Sequence, residues 1–340
     1  MKMKNIRHIA ASSALLLLPA MTLRAQTGGS TAYNFLDVST SARIYGLGGA
    51  NISLVDDDLL LTDQNPSLLG PEMSNSMAFS YMRYIGSSNF AAMKYAHSAG
   101  ERAAWSIGVQ YFGYGDIKSA DAAGNITGSF SPKDLAFSGS FSHNLGERWR
   151  GGFNIKFLYS AYDAYSALAI ATDLGVNYFD EERGSSLSLV VSNLGGQVKR
   201  FAEHYDRLPV DLRLGWSKQL GSSPGTLSIT ATNLLKWKLP YIDPKDGTEE
   251  PRMVNKFLPN LFRHLVFGLD WKPNDNFYLD LAYNYKTRTD MSTFQRSFLS
   301  GFSVGAGVRV RMFQVGLAVA QPHRSATTLM LNISTNFFDF

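Results

Sequence analysis

Apolar and polar residues alternate along most of this chain, most regularly in its last third. Leu265, Phe267, Leu269 and Trp271 share one parity, with Val266, Gly268 and Asp270 between them. Phe277, Leu279, Leu281, Tyr283 and Tyr285 then alternate with Tyr278, Asp280, Ala282 and Asn284. The same period continues through Val304, Ala306, Val308 and Val310, through Val315, Leu317 and Val319, and through Leu329, Leu331 and Ile333. A period of two sends one parity to each face of a sheet. Upstream, Trp105 to Tyr111, Phe153 to Tyr159, Leu187 to Val191 and Leu212 to Trp216 repeat it. The pattern predicts fourteen strands, at 77–84, 88–97, 103–113, 134–144, 150–161, 167–179, 184–193, 209–219, 225–235, 262–272, 276–286, 298–310, 312–321 and 327–338. Runs of about 9–11 residues suit tilted strands that cross a bilayer.

The connections alternate as well. Those at 98–102, 145–149, 180–183, 220–224, 273–275 and 311 are short, whereas 114–133, 194–208, 236–261 and 287–297 are long, with shorter members of the same side at 85–87, 162–166 and 322–326. Tight turns at one end and long loops at the other are the asymmetry of an outer-membrane barrel. Asp270, Asp280, Lys156 and Arg213 occupy the parity opposite the large apolar residues, as a polar lumen requires. The expected fold is therefore all-β: a 14-stranded antiparallel transmembrane β-barrel in the outer membrane, with both termini periplasmic. A soluble sandwich of so many strands would need two domains, and no linker divides them.

Ahead of the strands lie two other textures. Residues 1–25 combine Lys2, Lys4 and Arg7 with the apolar stretch Ala14 to Leu18 and a small residue at Ala25, the make-up of a secretory signal peptide. Residues 26–76 are expected to form a plug segment containing short helices at 36–43 and 65–70, the second capped by Asn65 with Pro66 at its first position. Gly46, Gly48 and Gly49 permit tight turns or close backbone approach. The barrel is assigned to 77–340.

Composition narrows the chemistry. With no cysteine, disulfides and thiolate chemistry are excluded. The formal charge of +4 is accounted for by the basic residues of the signal peptide, so nucleic acid is not an expected partner. The six histidines are scattered without metal-ligand spacing, and Asp56, Asp57 and Asp58 lack the spacing of a calcium loop. No Gly-x-Ser-x-Gly elbow occurs. No catalytic residue, cofactor or metal is expected. Aromatic and charged residues in the long loops are the candidate partner surface: Asp116 and Asp121, Tyr205 and Arg207, and Trp237, Tyr241, Lys245 and Arg252.

Three stretches carry a resemblance. Thr31-Ala32-Tyr33-Asn34-Phe35-Leu36-Asp37-Val38-Ser39-Thr40-Ser41-Ala42-Arg43, Tyr45-Gly46-Leu47-Gly48-Gly49-Ala50-Asn51 and Asp63-Gln64-Asn65-Pro66-Ser67-Leu68-Leu69-Gly70, with Met82 to Gly86, resemble the PorV/PorQ family of Bacteroidetes outer-membrane proteins. That family is itself similar to FadL-type fatty-acid transporter barrels. The resemblance implies a non-enzymatic component of the type IX secretion system that anchors a PorZ-like surface protein beside PorU-like and PorV-like members of an attachment complex. That complex would process cargo and attach it to lipopolysaccharide. It also implies a plug motif at Asn34, Phe35, Arg43, Gly46, Gly48, Gly49, Asn65 and Pro66. The alternative is a FadL-like transporter or binder of a hydrophobic ligand, which would need an apolar lumen pocket against the plug and a lateral gap in the wall.

Overall fold

The computed structural model describes residues 31–201, 205–243, 252–290, 299–323 and 326–337. The signal-peptide stretch, Lys245 and Phe340 lie outside them. Among the described residues, eighteen strands form. They are β1 (Ser76–Arg83), β2 (Asn89–Ser98), β3 (Ala103–Gly113), β4 (Ile117–Ala120), β5 (Ile126–Phe130) and β6 (Lys133–Asn144). Then come β7 (Trp149–Tyr162), β8 (Tyr165–Asp180), β9 (Ser185–Lys199), β10 (Asp211–Gln219), β11 (Gly225–Ala231) and β12 (Tyr241–Asp243). The last six are β13 (Arg252–Val254), β14 (Leu265–Asn274), β15 (Phe277–Asn284), β16 (Phe302–Val310), β17 (Phe313–His323) and β18 (Ala326–Asn336). Fourteen of them close an antiparallel transmembrane barrel, sealed where β1 pairs with β18 from Ser76 opposite Asn336 to Arg83 opposite Leu329. The other four form two loop hairpins, β4–β5 and β12–β13.

Closure places the two parities as the alternation requires. In β1, Ser76, Ala78, Ser80 and Met82 point into the lumen and are buried, while Phe79 and Tyr81 stand outward, 45% and 43% exposed. In β14, Gly268 and Asp270 are inward, and Leu269 and Trp271 outward. Lys156, Arg213, Asp270 and Asp280 are all buried inside. An apolar exterior around a polar interior is the reverse of a soluble protein and suits a wall solvated by lipid.

The helical elements depart from expectation. The first plug helix is not continuous over 36–43: a 3-10 turn at Asn34–Asp37 is followed by extended residues, and α1 (Ala42–Gly46) begins only after Ser41, whose Oγ accepts from Ile44 N at 3.2 Å. The turn at Pro66–Leu68 is also 3-10, capped by Asn65 as anticipated. Residues 262–264, expected to open a strand, finish α2 (Phe257–His264), and Tyr285–Asp290 form α3. Asn260, Arg263 and His264 lie three and four residues apart and bury one helical face, a period that wins over alternation here.

The plug descends the lumen from the long-loop end, where Ala32 N donates to Arg207 O at 3.0 Å, to the tight-turn end at Asn75, whose carbonyl accepts from Phe337 N. Its strongest tie is Arg43. The guanidinium reaches Asp270 through Nε and Nη2 at 3.0 and 2.9 Å and Asp56 at 3.0 Å, and lies 4.6 Å from the centre of the Tyr278 ring. Lys94 pairs with Asp63, Asn51 donates to Ser228 Oγ at 3.0 Å, and Asn332 donates to Thr40 O at 3.2 Å. Glycines let the two backbones meet. A Cβ on Gly46 would lie 2.7 Å from Gly305 Cα, and Gly48, at φ 90°, has no room beside Val266.

Removing Arg43 would leave Asp270 and Asp56 buried without their shared cation. Arg43→Ala is expected to cost about 3–5 kcal/mol, measured from the urea unfolding midpoint of the barrel in detergent. Gly46→Ala is expected to cost about 1–3 kcal/mol by overpacking against β16.

Candidate functional site: an aromatic cavity above the plug

Above the plug, at the long-loop end, a cavity of about 390 Å³ is lined by Thr31, Ala32, Tyr33, Asn34, Tyr114, Ser160, Tyr162, Tyr165 and Phe201. Tyr162 and Ser160 share the inward side of the last turn of β7, Tyr114 follows β3, and Phe201 follows β9. Tyr33 reaches the site because its backbone is left-handed, with φ 62°. The rings form a chain. Phe112 and Tyr114 lie 4.8 Å apart between centroids, Tyr114 and Tyr162 5.7 Å, Tyr162 and Phe201 5.3 Å, and Phe201 and Tyr33 6.5 Å. Such tilted and edge-on geometries are favourable for aromatic pairs.

One carboxylate holds this wall in place. Asp134, buried on β6, accepts from Tyr114 OH at 2.6 Å, from Tyr162 OH at 3.0 Å and from Ser160. Burial, reinforced by the bond to Asp134, pushes the Tyr114 hydroxyl well above its ordinary range. The hydroxyls are therefore turned toward Asp134, and the cavity is faced mainly by rings.

A second cavity of about 330 Å³ lies on the other side of Asn34. It is polar, with Asp37, Asp211, Arg213, Lys286 and Asp290 among its lining. Arg213 Nε donates to Asp211 at 2.7 Å, and its Nη2 lies 3.4 Å from Asp37. Burial opposes the charge of Asp290, but Lys286 at 2.7 Å and Arg263 at 2.5 Å outweigh it and hold the carboxyl below the ordinary carboxylate range.

The plug motif residues reach both cavities but are mostly packing. Asn34 lines both and bonds Thr31 through Nδ2 to O at 3.0 Å. Phe35 is buried in the cluster that contains Tyr33, Phe90 and Phe112. Asn65 donates to Ile52 O at 2.7 Å and fills space that a Cβ on Gly175 would need, and the Pro66 backbone does the same at Gly152.

Of the loop candidates, Trp237 and Tyr241 both meet α2, and the other described ones make separate contacts. Asp121 closes the β4–β5 turn by accepting from Ala123 and Asn125 nitrogens, and the Asn125 bonds lower its carboxyl pKa. Asp116 accepts from Ser131 at 2.5 Å. Tyr205 lies under the Arg200 guanidinium at 5.5 Å, and Arg207 supplies the carbonyl that tethers Ala32. Trp237 stacks on His264 at 5.0 Å, and Tyr241 meets Tyr285 OH at 3.2 Å. The backbone of Arg252 pairs with Asp243 in the second hairpin. The residues sequence reasoning missed are Tyr114, Tyr162, Phe201 and Asp134. The signal that could have found them is an inward Asp at a strand start with tyrosines at or just past the ends of neighbouring strands.

No protein-family model and no curated protein matches this chain. Solved structures do share its fold. The Pseudomonas putida toluene transporter TodX is 10% identical with a TM-score of 0.56, covering 88% of this chain and 98% of that one. The Ralstonia pickettii toluene transporter TbuX is 12% identical with a TM-score of 0.53, covering 87% and 98%. A Pseudomonas aeruginosa FadL homologue is 12% identical with a TM-score of 0.51, covering 88% and 98%. These findings correct the resemblance to the PorV/PorQ family. The chain shares its fold with these two toluene transporters and the FadL homologue, and the type IX secretion reading, with its anchoring of a PorZ-like protein, falls with the family. The physical reason lies in the motif itself: Arg43, Gly46, Gly48, Asn65 and Pro66 fit a plug into a wall, a requirement of any filled lumen.

Folding stability linked to Asp290 has a definite sign. Its folded pKa is depressed, so the contribution is present at neutral pH and is lost as pH falls through that lowered value. The protection factor of the α3 amides, taken relative to intrinsic exchange at the same pH, is expected to fall on acidification into that range, and Asp290→Asn is expected to abolish the acid response.

Proposed function

We propose that the chain is an outer-membrane barrel that captures a small hydrophobic ligand, most favourably a monoaromatic one, for FadL-like uptake. The observation that carries this is the ring-lined cavity above the plug. A pocket of a few hundred Å³ faced by apolar rings suits a ligand of that size, with polar groups few and the Tyr114, Tyr162 and Ser160 hydroxyls bonded to Asp134. The transporters of similar fold are named for toluene, which supports the same ligand class. On this reading the long loops face the cell exterior, the tight turns and the end of β18 face the periplasm, and the protein acts without catalysis.

Capture and onward passage are separate steps. The wall ladder is closed among the described residues, with register shifts at β8–β9, β14–β15 and β17–β18 but no missing strand pair. Passage toward the periplasm therefore requires the plug to move.

Titration of the detergent-purified barrel with toluene in a calorimeter is the test. Saturable binding is expected, and Phe201→Asp is expected to weaken it at least about tenfold, or roughly 1.4 kcal/mol. Absence of saturable binding to the unmodified barrel would sink the proposal.

A further inference from the structure

Helix α2 is amphipathic in the unusual sense. Its polar residues Asn260, Arg263 and His264 are buried, and its apolar residues Phe257, Leu258 and Phe262 are 66%, 61% and 45% exposed. The polar face is bonded to the loops through all three residues. Asn260 Oδ1 accepts from Leu239 N at 3.3 Å, Arg263 binds Asp290 at 2.5 Å, and His264 lies between the carbonyls of Thr232 and Trp237 at 2.7 and 3.0 Å. The helix is thus fixed with its apolar face outward, and that face cannot rotate inward without breaking these bonds.

The apolar face is continuous with the lipid-facing wall. Phe262 packs against Phe267, an outward residue of β14, at 6.4 Å between ring centres, and Leu269 and Trp271 extend the same outward row. Trp237, 44% exposed, packs against Phe257 at 5.6 Å. In sequence, Lys236 and Lys238 flank Trp237, and Lys256 precedes Phe257. Aromatic and aliphatic groups bordered by lysines are the make-up of an element lying in a membrane interface, with cations near anionic headgroups.

We infer that α2, together with Trp237, is an interfacial anchor that lies in the outer leaflet at the rim of β14, against lipid acyl chains and anionic headgroups. It would fix the height of this side of the barrel and hold α3, which lines the polar cavity, through Arg263 and Asp290. The occupant of the face is lipid, because the face prolongs a surface that lipid already solvates.

The chain has no cysteine, so single sites can be labelled cleanly. Nitroxides at Leu258→Cys, Phe257→Cys, Leu269→Cys and Ser119→Cys would be compared in the full barrel in phosphatidylethanolamine/phosphatidylglycerol vesicles, with heat-modifiable gel migration confirming folding. Labels at 257 and 258 are expected to collide with oxygen in preference to a water-soluble nickel chelate, as at 269, and severalfold more so than at 119. Nickel access at 257 and 258 equal to that at 119 would overturn the inference, whether the face is bare or reserved for a protein.

Discussion

Arg43 is the point on which the structure turns. A guanidinium buried between Asp270 of the wall and Asp56 of the plug satisfies charges that neither element could bury alone. The cost of desolvating such a group is large, and it is offset only when several hydrogen bonds meet it in good geometry. Three ion-pair contacts and the Tyr278 ring supply them. Because one partner is in a strand and the other is in the plug, the interaction fixes where the plug sits in the lumen.

That placement creates the site. With α1 packed against β16 and β17, the residues ahead of it run up to the long-loop end and end in the Tyr33–Asn34 turn. This turn separates a ring-lined cavity from a polar one. Asp134 then orients Tyr114 and Tyr162 so that their hydroxyls bond one another and the carboxylate, leaving aromatic faces toward the space. A polar lumen thereby contains an apolar compartment.

The resemblance to the PorV/PorQ family rested on plug residues, and the structure explains why such residues mislead. Gly46 is small because Gly305 is opposite it, and Asn65 caps a turn while filling the space over Gly175. These are solutions to fitting a segment inside a barrel. They report the architecture and are silent about what the outer surface binds.

The sequence alone determined the barrel. A period of two along Leu265 to Trp271 or Phe153 to Tyr159, with charges on the inward parity, admits one arrangement when lipid is outside and a polar lumen within. The long connections at 114–133, 194–208, 236–261 and 287–297 then predict which end of the barrel carries the loops. Tertiary structure decided the rest, because the deciding contacts join residues far apart in the chain. Asp134, Tyr114, Tyr162, Phe201 and Tyr33 come from four strand ends and the plug, and no local pattern marks them as neighbours. Residues 262–264 failed as a strand because the partners of Arg263 and His264 lie in other loops, and meeting them required a helical period.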